Sequence, residues 1–481
     1  MIRMLRRRPW FAVAGACECA LIVWWLGVFP TLVSPDSVDY TRGIMHGYWY
    51  LGGSVFYDAL EWLSLAASSS VVPLILLQLT SFAAAIVLLA RAVHKLGAPA
   101  KLVAATAVVV CALPMTGAFV AYLSKDTLFV VGQLLCAAGI LELLADDTSD
   151  IGWRPARWRR RWFALLITGS VVMTLTRQNG VEMLVVATVV VALLARRFWR
   201  PMLAATAVVT ATWAAVTFAI APAAGAVRPD SSLALGPAYG DIGVVFRADP
   251  GLFSAHDLTV MARVAPLSWW HDRSTCYASD PLTAPDFVIA AHPLAVQLEH
   301  VWLRLVARAP QRIVAARICR GAIAWSVTPV ASHTILPPLS TPTNLYRERD
   351  RLSPASAEAL LPHPPVQWWH HATGKMLSAT TTRWAQFALW RGATWCYLAY
   401  VAVAVAGIRT RRRAVGAAAA LLVANQIVVL VDNPNQLARY MLGCLFLGAL
   451  LLPLAAARRR LPPTRPGSAH FELVERAPQD A

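Results

Sequence analysis

Four short polar stretches hold the residues best suited to chemistry. The first reads Ser34-Pro35-Asp36-Ser37-Val38-Asp39-Tyr40, with two carboxylates three residues apart. A carboxylate beside Tyr48, Trp49 and Tyr50 is suited to act as a general base, because partial desolvation raises its proton affinity. Asp36 is the stronger candidate, while Asp39 could equally cap a helix. The second stretch is the corner Pro114–Lys125, ending in Lys125-Asp126. Here an interfacial anchor is the competing reading, with Lys snorkelling and Asp capping the next helix. The third is Arg177-Gln178-Asn179-Gly180, although Asn-Gly is also an ordinary turn pair. The fourth is Asp432-Asn433-Pro434-Asn435, followed by Arg439-Tyr440. Arg439 falls just inside an apolar run, where a charge is costly and usually faces a protein interior or cavity. Acids together with several cations suit a phosphate-bearing ligand, which Arg and Lys would hold.

The elements that must position these residues are membrane helices. Of the 481 residues, 57% are hydrophobic and 14% charged, against roughly a quarter charged in a soluble domain. Apolar residues cluster in runs of the length that crosses a bilayer, and no period-two alternation supports a β-barrel. The reading is an all-α polytopic membrane protein of about ten transmembrane helices. The first span is Phe11–Pro30, an uncleaved segment that follows Arg3, Arg6, Arg7 and Arg8; a signal peptide is the alternative. The others lie near Val71–Ala90, Leu102–Tyr122, Leu128–Ala145, Trp162–Thr176, Val181–Ala195, Met202–Ala221, Phe387–Ile408, Val415–Val431 and Leu437–Ala457. Starting with the N-terminus inside, the basic clusters at Arg91–Lys101, Arg154–Arg161, Arg196–Arg200, Arg409–Arg413 and Arg458–Arg460 all fall inside. That is the pattern the positive-inside rule demands. The four polar stretches then share the outer face. Trp162–Thr176 and Val181–Ala195 are short for a bilayer of about 30 Å. A tight hairpin with 177–180 at its tip fits them.

The net charge of +17 would suggest nucleic acid in a soluble protein. Here it is accounted for by cytoplasmic loops and anionic headgroups, so no nucleic acid is expected. The domains expected are an N-terminal membrane module (1–221, with outer loop 31–70), a mostly helical extracytoplasmic domain (222–386), C-terminal spans (387–460) and a disordered tail (461–481). Within the outer domain, Ile313–Val330 reads as an amphipathic helix on the membrane surface, with a re-entrant segment or an extra pair of spans as the alternatives. Six cysteines fall in spans. Cys276 and Cys319 do not, and an oxidising outer compartment makes a bridge between them an expectation; two unrelated thiols are the alternative. His363, His370 and His371 match no metal motif. There is no phosphate-binding glycine loop, nucleophile elbow or zinc pair.

The order of an Asp-bearing first outer loop, Lys125-Asp126, Arg177-x-Asn179, a late outer domain and a final Arg439-Tyr440 resembles the GT-C superfamily of integral-membrane glycosyltransferases. More narrowly, it resembles bacterial proteins of the dolichyl-phosphate-mannose mannosyltransferase type. Ser34-Pro35-Asp36-Ser37 carries the resemblance most specifically. The segment from Trp302 through Pro310 to Arg317 and Cys319 also resembles the outer region of some relatives. The resemblance covers the first 200 residues fairly well and the rest loosely.

It implies an inner-membrane enzyme that moves a sugar from a polyprenyl-phosphate donor to a glycan, lipid or protein acceptor outside. Asp36, with Asp39, takes the place of the catalytic carboxylate. Lys125, Asp126, Arg177, Asn179, Arg317, Arg439 and Tyr440 take the substrate-binding places. A divalent cation, Mg or Mn, is the one cofactor such chemistry could call on. The chain departs from many relatives at Tyr50–Asp58, where they carry an Asp-Trp-His-Pro-like stretch, which bears on acceptor contacts and on activity. A lipid-linked-sugar transporter would need inverted repeats and mid-bilayer polar groups, and neither is evident. A non-catalytic membrane scaffold is the third reading.

Overall fold

The computed structural model describes residues 9–146, 156–228, 235–279, 282, 284–329, 352 and 354–458. The Arg3–Arg8 cluster and the 461–481 tail lie outside the described residues. No strand occurs among the described residues, and the only β-type contacts are isolated bridges.

The N-terminal helices are α1 (Pro9–Leu26), α2 (Pro35–Met45), α3 (Val55–Ser68), α4 (Val72–Lys95), α5 (Ala100–Ala112), α6 (Pro114–Val120), α7 (Lys125–Asp146), α8 (Ala156–Thr176), α9 (Gly180–Leu194) and α10 (Trp199–Ala215). Then follow α11 (Gly236–Ala248), α12 (Ala255–Val264), α13 (Leu267–Asp272), α14 (Pro285–Ala291), α15 (Ala295–Arg308), α16 (Pro310–Arg320), α17 (Gln367–Thr380), α18 (Gly392–Thr410), α19 (Ala420–Asp432) and α20 (Leu442–Leu451). Among the described residues seven helices are long and apolar enough to cross a membrane, one bent pair could form an eighth span, and α9 and the Trp162–Thr176 part of α8 are shorter apolar helices. These match the ten expected segments one for one, so the chain is an all-helical, multi-pass membrane protein.

Three expectations about shape are corrected. Leu102–Tyr122 is not one straight helix: α5 and α6 meet at 66°. Pro114 begins α6, and a proline there removes a helical N–H and clashes with the preceding turn. The bend carries the chain across the bundle end to Lys125. Second, the apolar stretch Trp162–Thr176 keeps its expected bounds, but the helix that carries it, α8, runs further back. It extends back to Ala156 and has 21 residues, roughly 31 Å of helix. Third, 313–330 is not one surface helix. α16 ends at Arg320 and is followed by a short turn, Ala322–Trp325.

The central helix is α7, nearly all of it buried. It packs against α8 along a glycine seam. A Cβ on Gly132 would sit 2.5 Å from the Met173 nitrogen, and one on Gly169 would sit 2.3 Å from the Cys136 nitrogen. Small residues let antiparallel helices approach this closely. The start of α7 and the end of α8 therefore lie side by side at the loop-rich end of the bundle.

Helices α11–α16 enclose a core of their own, built around Tyr239, Trp270, Phe287, Leu298 and Ile313. Its polar anchor is Asp241, fully buried, which accepts from Arg320 at 3.0 Å and from Arg317 Nε at 2.7 Å. The two arginines of the expected surface helix thus turn into the domain. A buried carboxylate needs such counter-charges.

Candidate active site

Ser34-Pro35-Asp36-Ser37 forms the start of α2. Ser34 accepts from the Ser37 backbone N–H, and the Ser37 hydroxyl accepts from the Ser34 N–H, a capping box with Pro35 in the first turn. The segment is then tied to the second corner. Leu32 N–H donates to Ala121 O at 3.1 Å, Leu123 N–H donates to Leu32 O at 2.8 Å, and the Ser37 hydroxyl donates to Leu123 O at 2.7 Å. These bonds place Asp36 beside Asp126.

The fourth stretch arrives from the other side. Gln133 of α7 donates to Asn425 of α19 at 3.0 Å, and Asn425 donates to the Tyr440 carbonyl at 3.1 Å. This relay inside the apolar bundle fixes the turn Ala438–Met441 that carries Arg439. Asn433 and Gln436 donate to the Arg320 carbonyl at 2.9 and 2.7 Å. Ser279 donates through its N–H and hydroxyl to Pro434 O. The outer domain therefore clamps the 433–436 loop.

The result is an alternating chain of charges drawn from all four stretches. Arg439 reaches Asp36 at 2.8 Å and Asp126 at 3.4 Å; Arg177 reaches Asp126 at 2.8 Å. Asp126 is 2% exposed, whereas the Asp36 side chain keeps 45% of its surface. Asp36 gives one oxygen to Arg439. The Arg177 guanidinium also stacks over Tyr440, 4.7 Å from the ring centroid. Beside this chain opens a cleft of about 380 Å³. Its wall includes Lys125, Arg177, Asn179 and Tyr440 from the sequence candidates, with Gly52, Gly53, Asp432, Asn433 and Pro434. Asp36, Asp126 and Arg439 are not among the wall residues and join it through the ion pair of Asp126 with Arg177. The Asn179 Oδ1 is buried without a hydrogen-bond partner.

Two candidates stand apart. Asp39 is on the exposed side of α2, 3.0 Å from Arg42, because three residues along a helix point about 60° away from Asp36. Arg317 is not on the cleft wall. It joins Asp241 to the Val431 carbonyl and braces the outer domain against the end of α19. Cys276 and Cys319 are disulfide-bonded.

The sequence reading passed over Asp58 and Glu61. Both are buried on α3. Burial raises the Asp58 carboxyl to about 7, opposed by the Lys125 charge. Burial also raises Glu61 to about 8, with Thr41 donating to it at 2.5 Å. Their spacing on an amphipathic stretch was the available signal.

The cleft residues do not fit a divalent cation. Asp36 and Asp126 are each engaged by guanidinium, and no group of three or more His, Cys, Asp or Glu able to hold a metal exists among the described residues.

Residues 52–284 match the model of a family of unknown function, DUF6020. The match takes in α3, the Lys125 corner, the 177–180 tip and the first part of the 222–386 region, as far as 284. No curated protein matches the chain. It is similar to two solved structures of ArnT from Cupriavidus metallidurans, one bound to undecaprenyl phosphate and one in the apo state. Each has 16% identity and a TM-score of 0.35, over 93% of this chain and 78% of the other.

Proposed function

We propose that this protein is a membrane glycosyltransferase that moves a sugar from a polyprenyl-phosphate donor to an acceptor on the extracytoplasmic side, with inversion. The observation that carries the reading is the convergence of four separate stretches on one ion-pair chain, Asp36–Arg439–Asp126–Arg177, beside a cationic cleft. In this reading the loop-rich end faces outward and both termini are cytoplasmic.

The donor phosphate occupies the cleft against Lys125 and Arg177. Arg177 spends one hydrogen bond on Asp126, and its remaining N–H groups serve the phosphate oxygens. Asp36 takes the acceptor hydroxyl proton on the oxygen that Arg439 leaves open. The acceptor oxygen attacks the anomeric carbon as the bond from that carbon to the phosphate oxygen breaks. The leaving group is a lipid phosphate, so no general acid is required, and the cations stabilise its developing charge. Positive charge on the sugar in the transition state is favoured by the nearby carboxylate.

The test is the envelope glycan profile of cells lacking the chain, restored with wild type or with Asp36→Asn that inserts normally. A missing glycan that only wild type restores is expected. Transfer by purified Asp36→Asn should fall by a factor on the order of 10²–10⁴, the usual contribution of a general base. Unchanged transfer would remove Asp36 from the mechanism.

A further inference from the structure

Behind the cleft floor lies a buried carboxyl that the mechanism above does not use. Asp58 is 4% exposed, and its Oδ1 has no hydrogen-bond partner. It stands in the first turn of α3, just after Ser54 caps the helix. A Cβ built on Gly53 would lie 3.8 Å from Asp58 Oδ2, and Gly53 is part of the cleft wall. Lys125 is on the same wall. The Lys125 ammonium sits over the Tyr40 ring, 5.4 Å from the centroid, and makes no ion pair among the described residues. Burial works against the Asp58 carboxylate, and the Lys125 charge works for it.

The surroundings of Asp58 are otherwise short of neutralising groups. Its own helix supplies Glu61 and Tyr57, and α2 supplies Tyr40. Packed against α3, α4 contributes the uncharged Gln78, which accepts from the Tyr57 hydroxyl at 2.9 Å. At its contact α8 contributes the Leu175 carbonyl, bonded by Ser54 at 2.8 Å, and its tip carries Arg177. Lys125 is therefore the charge that keeps Asp58 ionised, and it is also the cation that faces an incoming anion.

We propose that the cleft takes up its anionic lipid-phosphate ligand together with one proton, and that Asp58 holds that proton. This rests on the phosphate reading of the cleft. When a phosphate reaches Lys125, its negative charge offsets the field that stabilised the Asp58 carboxylate. Solvent supplies the proton on binding and receives it on release. Asp58 is thus a positioning residue. Protonated, it leaves Lys125 to the ligand; ionised, it competes for the same cation.

The sign follows from linkage. The free carboxyl titrates at about 7, and the bound form must titrate higher. Below the free value Asp58 is protonated in both states, and affinity is flat. Above it, binding must draw a proton, and Kd rises by up to tenfold per pH unit until the bound form also ionises.

The probe is a prenyl phosphodiester, because a phosphomonoester itself ionises near pH 6. Calorimetry on the full chain in detergent, in two buffers of different ionisation heat at pH 7.5, counts protons taken up. Wild type should take up a substantial fraction of one proton, with Kd rising as pH increases. Asp58→Asn should take up distinctly less than wild type, the remainder belonging to Lys125 and Asp432 on the cleft wall, and should show a shallower pH profile. An infrared difference spectrum on binding should show a new protonated-carboxyl band in wild type that is missing in Asp58→Asn. Binding by wild type without proton uptake overturns the proposal, as does an unchanged proton count in Asp58→Asn. If wild type binds no prenyl phosphodiester at any pH, the phosphate reading of the cleft itself is wrong.

Discussion

Asp126 illustrates how one residue type changes meaning with its surroundings. In sequence, Lys125-Asp126 is compatible with a plain interfacial anchor and helix cap. In three dimensions Asp126 is the buried centre of the network, with Arg177 on one oxygen and Arg439 on the other. Removing its charge would leave Arg177 without its carboxylate and Arg439 with Asp36 alone. Breaking a buried pair by deleting one partner typically costs about 3–5 kcal/mol. Asp126→Asn should therefore lower the unfolding midpoint in detergent and abolish ligand binding. The double variant Asp126→Asn/Arg177→Gln should recover part of that stability, because one uncompensated cation is gone. Additive losses in the double variant would show that the two groups are not coupled. Asp39 went the other way. Its type and spacing matched Asp36, but helical geometry turned it toward Arg42 on the exposed face.

At the scale of elements, the site depends on the 433–436 loop being held between α16 and the bundle. That loop carries two cleft-wall residues, Asn433 and Pro434, and leads directly to Arg439. The Cys276–Cys319 bridge spans 43 residues of sequence. It joins the segment that contacts Pro434 and Asn435 to the end of the helix whose Arg320 carbonyl holds Asn433 and Gln436. Closing a loop of that length is worth about 4 kcal/mol by chain entropy. Cys276→Ser should unfold at lower temperature than wild type, and reductant should lower the midpoint of wild type but leave Cys276→Ser unmoved. Equal sensitivity of both proteins to reductant would refute a structural role for the bridge. The bent pair α5–α6 is the other decisive element. Without the Pro114 turn, the chain would not cross the bundle end to meet Leu32 and Ser37.

In the proposed orientation the basic loops lie on the cytoplasmic side and the ion-pair cleft on the opposite side, the distribution that the positive-inside rule favours. Gln178 is exposed at the hairpin tip and Arg411 at the opposite end, after α18. Gln178→Cys should react with a membrane-impermeant thiol reagent in intact cells. Arg411→Cys should react only after permeabilisation. The reverse pattern would place the cleft in the cytoplasm and overturn the proposed donor side.

Much of this organisation was legible in the sequence. Apolar runs separated by one-sided arginine clusters determine where helices cross and which loops share a face, because hydrocarbon excludes both unpaired backbone and unpaired charge. That was enough to group Asp36, Lys125, Asp126, Arg177, Asn179 and Arg439. Only the tertiary structure decided which of them touch. The contacts depend on a proline bend, a glycine seam between α7 and α8, and an Asn–Gln relay inside the bundle, and none of these changes the hydropathy pattern. The same holds for Arg317, whose charge is satisfied by Asp241 far away in sequence, and for Asp58, whose burial beneath Gly53 depends on how α3 packs. Which stretches share one end of the bundle was fixed by composition; their assembly into one cleft was fixed by packing.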